Sequence, residues 1–476
     1  MATKKDLVEA YSFSRRRLVT AFVSGAPGGR EVEPARPGRT IVGGLALAVL
    51  LIAGAAIAGI FSPKVPDDWT EPGLIVSKED GNPYVITEEE GSGDSPVLRP
   101  VINITSAKLI LGANSEPRIV PQSAIDEQTV GEDIGILGAP ATVPSSSQLI
   151  DTGWTACTNE NEGVRVTVST EPGVRADDRG GFIVSTDGLY YVIAVSEQED
   201  DPIPRARAYS YLLPSDSSSR DNILDQLGLG SVADNATEVS KDWLALFPQG
   251  APLDVDSFGL EGVGQRPVEV GGDTGIPTNA VVGDVLETTT GHLLVTRTGP
   301  APLTPFAQAV YENLPEAPTP MGSTGPLAAR ASSPYGENHW PATTPVLIPE
   351  QPCAVLRAEA GESPAIVPGH LSEDAEVSAS SFGVDAGDKS QEVQPGRGAY
   401  VLSGEWTDTN QGLPYLIDTK GKAYTLVGTG AASQLGYASA PHPVVPDSWV
   451  ALFEEGVPLS RDAALCEPSS VPGVTC

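Results

Sequence analysis

An uninterrupted apolar run near the N-terminus constrains this chain more than any other feature. Residues 41–61, IVGGLALAVLLIAGAAIAGIF, contain no charged residue, histidine or proline. As a helix the run would be about 31 Å long, and the hydrocarbon core of a bilayer is about 30 Å thick. A cleaved signal peptide is the alternative, but its apolar region spans only ~7–15 residues after a short leader, and here 40 residues come first. The run predicts a retained transmembrane helix over 40–61.

The residues before this run predict its orientation. Segment 1–39 holds eight Lys/Arg and four Asp/Glu, and three of the basic residues form the cluster Arg15, Arg16 and Arg17. Basic flanks stay in the cytoplasm, so we expect a single-pass protein with its N-terminus inside and the chain beyond residue 61 outside. Apolar residues at helical spacing in 4–23 predict a basic amphipathic helix, which either lies on the inner leaflet or docks on a cytosolic partner.

Small residues recur four positions apart within the run, where Gly54 precedes Ala58 and Ala55 precedes Gly59. This spacing lets a second helix approach closely in lipid. Because small residues are common in membrane helices, a helix partner and plain lipid contact both remain open at this point.

The part of the chain beyond the run is strongly acidic. The whole chain has a net charge of −33, segment 1–39 contributes +4, and the exterior part therefore carries −37. Such a charge argues against nucleic acid and anionic lipid as exterior partners and favours solubility. With about 415 residues, this part is long enough for two to four domains with their own cores.

All four cysteines, Cys157, Cys353, Cys466 and Cys476, lie in the exterior part. Oxidising compartments permit disulfides there, and the sequence has no closely spaced cysteine pair typical of a metal site. Three pairings are possible. We favour Cys157 with Cys353 and Cys466 with Cys476, which combines one short local loop with one bridge between segments about 200 residues apart. Strand-like sequence around Cys157 and Cys353 indicates a central module built from two distant segments.

Two sequence patterns recur along the exterior part. An apolar run, a turn and a second apolar run predict a β-hairpin, and this pattern occurs at 74–86, 182–195, 281–296 and 403–428. The pattern W-x-A-L-F, closed by G-x-P-L, occurs within 239–254 and 445–460, after a Leu-Gly pair in each case. The fixed order indicates internal duplication. We expect Trp243, Phe247, Trp449 and Phe453 to fill the core of each repeat rather than stack on sugars.

These patterns predict an α+β, β-rich fold, with a single transmembrane helix followed by small repeated α/β-mixed modules around a disulfide-linked central module. The predicted boundaries, in chain order, are a cytoplasmic basic amphipathic segment at 1–39, the transmembrane helix at 40–61, repeat module 1 at 62–140, the first part of the central module at 141–181, repeat module 2 at 182–262, repeat module 3 at 263–316, a linker and the second part of the central module at 317–394, and repeat module 4 with a C-terminal tail at 395–476.

Several motifs together carry a resemblance to a known family. They are the basic YSFSRRRLVTAF segment, the single span, N-x-T-S-A-x-L-I-L-G at 103–112, the cysteine contexts GWTAC and PCAV, and the W-x-A-L-F ending. The chain resembles EccB of the actinobacterial type VII (ESX) secretion system over essentially its whole length. The resemblance implies a structural subunit of the inner-membrane core complex that scaffolds the translocation assembly with EccC, EccD, EccE and further copies of itself. It also implies that Cys157–Cys353 is the central bridge.

Members of this family are also described as ATPases, but the sequence has no P-loop, G-x-x-x-x-G-K-[ST]. The nearest strings are GVDAGDKS at 383–390, one residue short between its glycines, and Gly421-Lys422-Ala423, which lacks the partner glycine and the hydroxyl. The histidines and acidic clusters match no metal-binding or hydrolase pattern. We therefore expect no catalytic, cofactor-binding or metal-binding residues, and ATP is implied by the resemblance alone. The alternative functions are a membrane-anchored protein that binds the cell wall and an ATP-hydrolysing secretion subunit.

Overall fold

The structure, a computed structural model, describes residues 3–24, 44, 47–48, 66, 68–87, 96–158, 163–196, 206–268, 276–315, 320–322, 327, 329, 331–372, 384 and 387–469. The chain divides into two compact units, 1–66 and 67–476. In the first unit, helix α1 (Lys4–Ser24) exposes the basic cluster Arg15, Arg16 and Arg17. It also exposes large apolar side chains, among them Leu7 and Phe22.

The transmembrane helix predicted at 40–61 lies outside the described residues except for 44, 47 and 48. Its small-residue pairs, Gly54 with Ala58 and Ala55 with Gly59, lie outside them as well. None of the helices in the described part of the chain has both the length and the apolar character that a bilayer crossing requires.

The second unit is rich in strands and mixes parallel with antiparallel pairing, which confirms the predicted α+β class. Its first sheet has the order β4-β1-β2-β3-β5, and with helices α2 and α3 it forms module 1. The bounds are β1 (Gly73–Ser77), β2 (Pro83–Ile86), β3 (Val97–Pro100), α2 (Ile104–Leu111), β4 (Arg118–Val120), α3 (Gln122–Ile125) and β5 (Thr129–Val130). A 3₁₀ turn at Ser146–Gln148 leads to β6 (Trp154–Thr158), β7 (Val164–Val168) and β8 (Val174–Ala176), which belong to a central sheet.

Modules 2 and 3 follow before the chain returns to the central sheet. Module 2 comprises β9 (Gly180–Thr186), β10 (Leu189–Ser196), β11 (Arg207–Leu212), α4 (Ser217–Gln226), α5 (Val232–Asn235), β12 (Ala236–Glu238) and α6 (Lys241–Leu244). Its sheet has the order β11-β10-β9-β12. After a 3₁₀ turn at Asp256–Phe258, module 3 comprises β13 (Val285–Thr288), β14 (Gly291–Thr296), β15 (Gly299–Leu303), α7 (Pro305–Tyr311) and β16 (Met321–Gly322), in the sheet order β15-β14-β13-β16.

The remaining strands complete the central sheet and form module 4. After a 3₁₀ turn at Gly336–Asn338, β17 (Val346–Leu347) pairs with β9, and then β18 (Cys353–Arg357), β19 (Ala365–Leu371) and β20 (Lys389–Val393) give the central sheet the order β20-β7-β6-β18-β19-β8. Module 4 comprises β21 (Ala399–Gly404), β22 (Leu413–Ile417), β23 (Lys422–Thr425), α8 (Ala431–Gln434), β24 (Val444–Pro446), α9 (Asp447–Val450), β25 (Glu454–Glu455) and α10 (Arg461–Leu465). Its sheet order is β24-β21-β22-β23-β25.

All four modules share one arrangement of strands. Three antiparallel strands come first, a helical segment follows, and a short strand then pairs in parallel with the first strand of the module. A parallel neighbour requires a crossover connection, which the helical segment provides. The first hairpin of module 2 shows why the turn sequence matters. Asp187 and Gly188 both have positive φ, 52° and 76°, as the tight turn between β9 and β10 demands.

Three large cores among the described residues each join different parts of the second unit. One combines the central sheet with modules 2 and 4, as shown by Trp154, Phe182 and Val401. Another joins modules 2 and 3, and a third joins modules 1 and 4, where Leu109 and Tyr424 share one core. The modules are therefore arranged in the order 1, 4, central sheet, 2, 3, which differs from their order in the chain.

Candidate functional site

The central bridge implied by the resemblance is present, since Cys157 in β6 is disulfide-bonded to Cys353 in β18. The two residues are directly opposite each other in an antiparallel pairing, with Cα atoms 4.0 Å apart. The bond spans 196 residues of sequence and so closes a loop that contains modules 2 and 3. Cys466 is also buried and disulfide-bonded, whereas its predicted partner Cys476 lies outside the described residues.

The W-x-A-L-F blocks attach modules 2 and 4 to the central sheet. Trp243 in α6 and Trp449 in α9 are both fully buried. We expected each ring to fill the core of its own repeat, but both belong to one core that also contains Trp154 of the central sheet. Nε1 of Trp243 donates a hydrogen bond to the carbonyl oxygen of Ala156 in β6 at 3.0 Å. Phe453 meets Trp154 edge-on, with ring centroids 5.8 Å apart.

Local capping explains why the module 2 block turns its tryptophan inward. The Ser240 side chain accepts a hydrogen bond from the Trp243 backbone N–H at 3.2 Å and so begins α6. Phe247, four residues after Trp243, then lies on the same side, with ring centroids 5.2 Å apart. Sugar stacking would need an accessible ring, and neither tryptophan of the two blocks is accessible.

Arg207 in β11 is a junction residue that the sequence did not reveal. It is buried, and its Nη2 donates hydrogen bonds to the carbonyl oxygens of Pro364 and Trp406, each at 3.1 Å. Its guanidinium also lies 5.7 Å from the ring centroid of Trp406. Pro364 precedes β19 of the central sheet and Trp406 follows β21 of module 4. One side chain of module 2 therefore contacts both neighbouring parts of the unit.

The Leu-Gly pairs end the helices of three modules. Gly112, Gly228 and Gly436 have φ values of 97°, 73° and 88°, a region that glycine adopts without steric cost. In modules 1 and 4 the two glycine loops also face each other, because a Cβ on Gly436 would lie 2.9 Å from the Cβ of Ala113. A Cβ on Gly228 would meet nothing within 4 Å. The pair in module 4 therefore forms part of an interface as well as a helix end.

The lysines nearest to a P-loop pattern are engaged in ion pairs. Nζ of Lys389 lies 2.8 Å from Asp242 of module 2, and Lys422 pairs with Glu454 within module 4. Among the described residues, no group of three or more His, Cys, Asp or Glu side chains is placed to hold a metal ion.

Tyr311 at the end of α7 has the perturbed ionisation of a buried phenol. Burial is the main cause, with the neighbouring Asp284 carboxylate second, and together they raise the pKa of its hydroxyl to about 12. The hydroxyl donates a hydrogen bond to the carbonyl oxygen of Gly283 at 2.6 Å. Since this neutral phenol satisfies a buried carbonyl, its role is structural.

Comparison with known proteins extends over nearly the whole chain. The profile of the family described as type VII secretion system ESX-1, transport TM domain B, matches residues 1–473. The ESX-1 secretion system ATPase EccB1 of Mycolicibacterium smegmatis (strain MKD8) is 26% identical over 480 residues, which cover 91% of this chain and 88% of that protein. The protein of the same name from Mycobacterium tuberculosis (strain ATCC 25618 / H37Rv) is 25% identical over 509 residues, which cover 99% of this chain and 96% of that protein.

Two solved structures share the fold. A chain in the structure of an intact ESX-5 inner membrane complex matches with a TM-score of 0.59 at 20% identity, covering 100% of this chain and 97% of that chain. A chain in the structure of an EccB3 dimer from the ESX-3 core complex matches with a TM-score of 0.55 at 22% identity. This match covers 83% of this chain and 100% of that chain. The family profile, which spans nearly every residue, confirms the resemblance seen in the sequence motifs, and the chain belongs to the EccB family of type VII secretion systems.

Proposed function

We propose that this chain is a structural subunit of the inner-membrane core complex of a type VII secretion system, where it stabilises the translocation assembly on the extracytoplasmic side. The observation that carries the proposal is the joining of four modules and the central sheet into one unit through shared cores and the Cys157–Cys353 bond. Such a unit holds its surfaces at fixed spacing, as a scaffold requires. The related structures are described as an inner membrane complex and a core complex, which supports the same role.

The proposal includes a single membrane anchor at 40–61 with the N-terminus in the cytoplasm. It rests on the apolar run, on the basic residues before it and on the family description. Gly54, Ala55, Ala58 and Gly59 remain a predicted packing face of that anchor. Protease added to intact spheroplasts is expected to remove a tag at residue 476 and spare a tag at residue 1. Removal of the N-terminal tag alone would contradict this topology.

The partners we propose are EccC, EccD and EccE, together with further copies of this chain. Support for self-association comes from a related structure described as an EccB3 dimer. Chemical cross-linking in intact cells, followed by mass spectrometry, is expected to link residues of the 67–476 unit to a second copy. Self-association would be contradicted if every cross-link joined two residues of one chain, with a cross-linker long enough to capture residues that are neighbours in the structure.

The relatives are named ATPases, and nucleotide hydrolysis is a separate question for this chain. We infer a scaffold role without it because Lys389 and Lys422 are ion-paired to carboxylates. The part of the chain beyond residue 61 also carries a net charge of −37, which repels a nucleotide. Purified full-length protein is expected to release phosphate from ATP no faster than a variant with Lys389→Ala and Lys422→Ala. A turnover that this variant abolishes would establish the enzymatic function instead.

Binding to the cell wall is the alternative function, and the burial of Trp243 and Trp449 argues against sugar stacking by these two rings. Incubation of the purified chain with isolated cell wall is expected to leave it in the supernatant. Saturable retention on the wall in the absence of other secretion subunits would support the alternative.

A further inference from the structure

A cleft between modules 1 and 4 gathers three arginines in a strongly acidic molecule. The cleft has a volume of about 780 Å³, and Arg99, Arg118 and Arg461 line it. Glu116 is the single acidic residue among the described residues that line it. Among the described residues that line the cleft, three basic side chains therefore face one acidic side chain, on a part of the chain whose total charge is −37.

The fold brings these arginines together from distant parts of the sequence. In module 1, Arg99 lies in β3 opposite Val85 of β2, and Arg118 is the first residue of β4. In module 4, Arg461 is the first residue of α10. Leu465, one turn further along α10, lines the same cleft. The site is complete only because module 4 lies beside module 1.

Arg118 retains donors for a ligand. Its Nη1 donates to the carbonyl oxygen of Glu71 at 2.8 Å. Its Nε is 3.6 Å from Asp68, which is longer than a normal hydrogen bond. The Asp68 side chain is 56% exposed, and an exposed ion pair of this kind is weak. A guanidinium has five N–H donors, so a carboxylate in the cleft can be bound without breaking the bond to Glu71.

A second groove continues from the cleft and has a different chemistry. It has a volume of about 760 Å³ and shares Leu111, Asn114 and Ser115 with the cleft. Its other lining residues are small or carry hydroxyl groups, including Ser146, Ser147, Ser433 and Ser439. Hydroxyl groups both donate and accept, so they suit the backbone of an extended peptide. None of the described residues that line the cleft or the groove is aromatic, and a sugar ring would find no stacking surface there.

We propose that the cleft and groove together bind an extended acidic peptide segment of a partner protein, whose carboxylates contact Arg99, Arg118 and Arg461 and whose small polar residues follow the groove. Screening of charges by salt favours binding of a short acidic segment over a long polyanion. At physiological salt the field of a charge decays over about 8 Å, so a few carboxylates in the cleft interact mainly with the arginines. A long polyanion would extend onto the surrounding acidic surface and be repelled.

Binding of a defined probe to the purified full-length chain in detergent tests this proposal. The probe is a fluorescein-labelled octapeptide of alternating glutamate and serine, measured by fluorescence anisotropy at physiological ionic strength, where the surrounding acidic surface is screened. We expect saturable binding to the wild type, and no binding of the matching glutamine–serine peptide. Arg99→Gln, Arg118→Gln and Arg461→Gln together should weaken the affinity at least about tenfold, since charge-assisted hydrogen bonds are lost.

A matched control removes three exposed arginines outside the cleft, with Arg179→Gln, Arg266→Gln and Arg297→Gln, and should leave the affinity unchanged. If the triple variant of the cleft fails to fold, Arg461→Gln alone replaces it, because Arg461 is exposed and its substitution leaves the core intact. This single variant should weaken binding about threefold or more. Equal losses in the cleft and control variants would overturn the proposal, as would absence of saturable binding. Tighter binding of a heparin tetrasaccharide would overturn the assignment to a peptide. Because the test uses the isolated chain, its failure leaves the scaffold role unaffected.

Discussion

At the scale of single residues, Trp243 and Trp449 occupy equivalent positions but differ in one hydrogen bond. Nε1 of Trp243 donates to Ala156, whereas Nε1 of Trp449 is buried with no acceptor among the described residues. Replacement by phenylalanine removes similar ring volume at both sites. We expect Trp243→Phe to lower the free energy of unfolding by about 1–2 kcal/mol more than Trp449→Phe does, as measured by urea unfolding. Equal losses would show that the hydrogen bond contributes nothing.

Tyr311 makes stability depend on pH in the alkaline range. The pKa of its hydroxyl is raised to about 12 in the folded chain, against about 10 in an unfolded chain. A raised folded-state pKa means that the stabilisation is complete below about pH 10 and is lost as the pH rises through the folded value. The free energy of unfolding should therefore fall between about pH 10 and 12, and fall less steeply in Tyr311→Phe. Parallel pH curves for the two proteins would contradict this assignment.

At the scale of elements, the glycine that ends α8 has two roles that substitutions can separate. Gly436→Ala introduces a strained φ and a contact with Ala113, whereas Gly228→Ala in module 2 introduces the strain alone. We expect Gly436→Ala to cost about 1–3 kcal/mol more of unfolding free energy. Ala113→Gly in the same chain should recover most of that difference. Absence of recovery would show that modules 1 and 4 do not meet at these loops.

How much of each element the sequence predicts depends on how local its determinants are. The turn at Asp187-Gly188 and the end of α4 at Gly228 could be predicted because both are fixed by residues within one turn. The returning strand β12, only three residues long, could not, because it exists through its pairing with β9. Arg207 gave no signal either, since its partners Pro364 and Trp406 are remote in sequence.

The sequence predicts that the tryptophans of the W-x-A-L-F blocks are buried, as they are, but it does not predict that they pack against the central sheet. An apolar pattern such as W-x-A-L-F shows that a side chain is buried but not which surface covers it. For Trp243 the covering surface includes β6, which lies 87 residues away in sequence. The cleft of Arg99, Arg118 and Arg461 was missed for the same reason, because its residues come from two modules.

At the scale of the whole molecule, the Cys157–Cys353 bond constrains modules 2 and 3 as one loop. Closing so long a loop stabilises by about 2–5 kcal/mol in the chain-entropy account. We expect Cys157→Ser with Cys353→Ser to lower the free energy of unfolding by an amount in this range, measured in urea without reductant. Cys466→Ser with Cys476→Ser serves as the reference and should cost less, because the proposed loop is short. A larger loss in the reference variant would contradict this ranking.

If this member of the EccB family is a structural subunit, it must be part of a large membrane assembly in its own cells. The most direct measurement is isolation of the tagged full-length protein from its own cells in mild detergent, with the size read on a native gel and the components identified by mass spectrometry. A variant that lacks 67–476 is the matched control and should be recovered only in small species. We expect the wild type to be recovered in a very large complex with EccC, EccD and EccE. Recovery of the wild type as a lone monomer or small oligomer, without other secretion subunits, would contradict it.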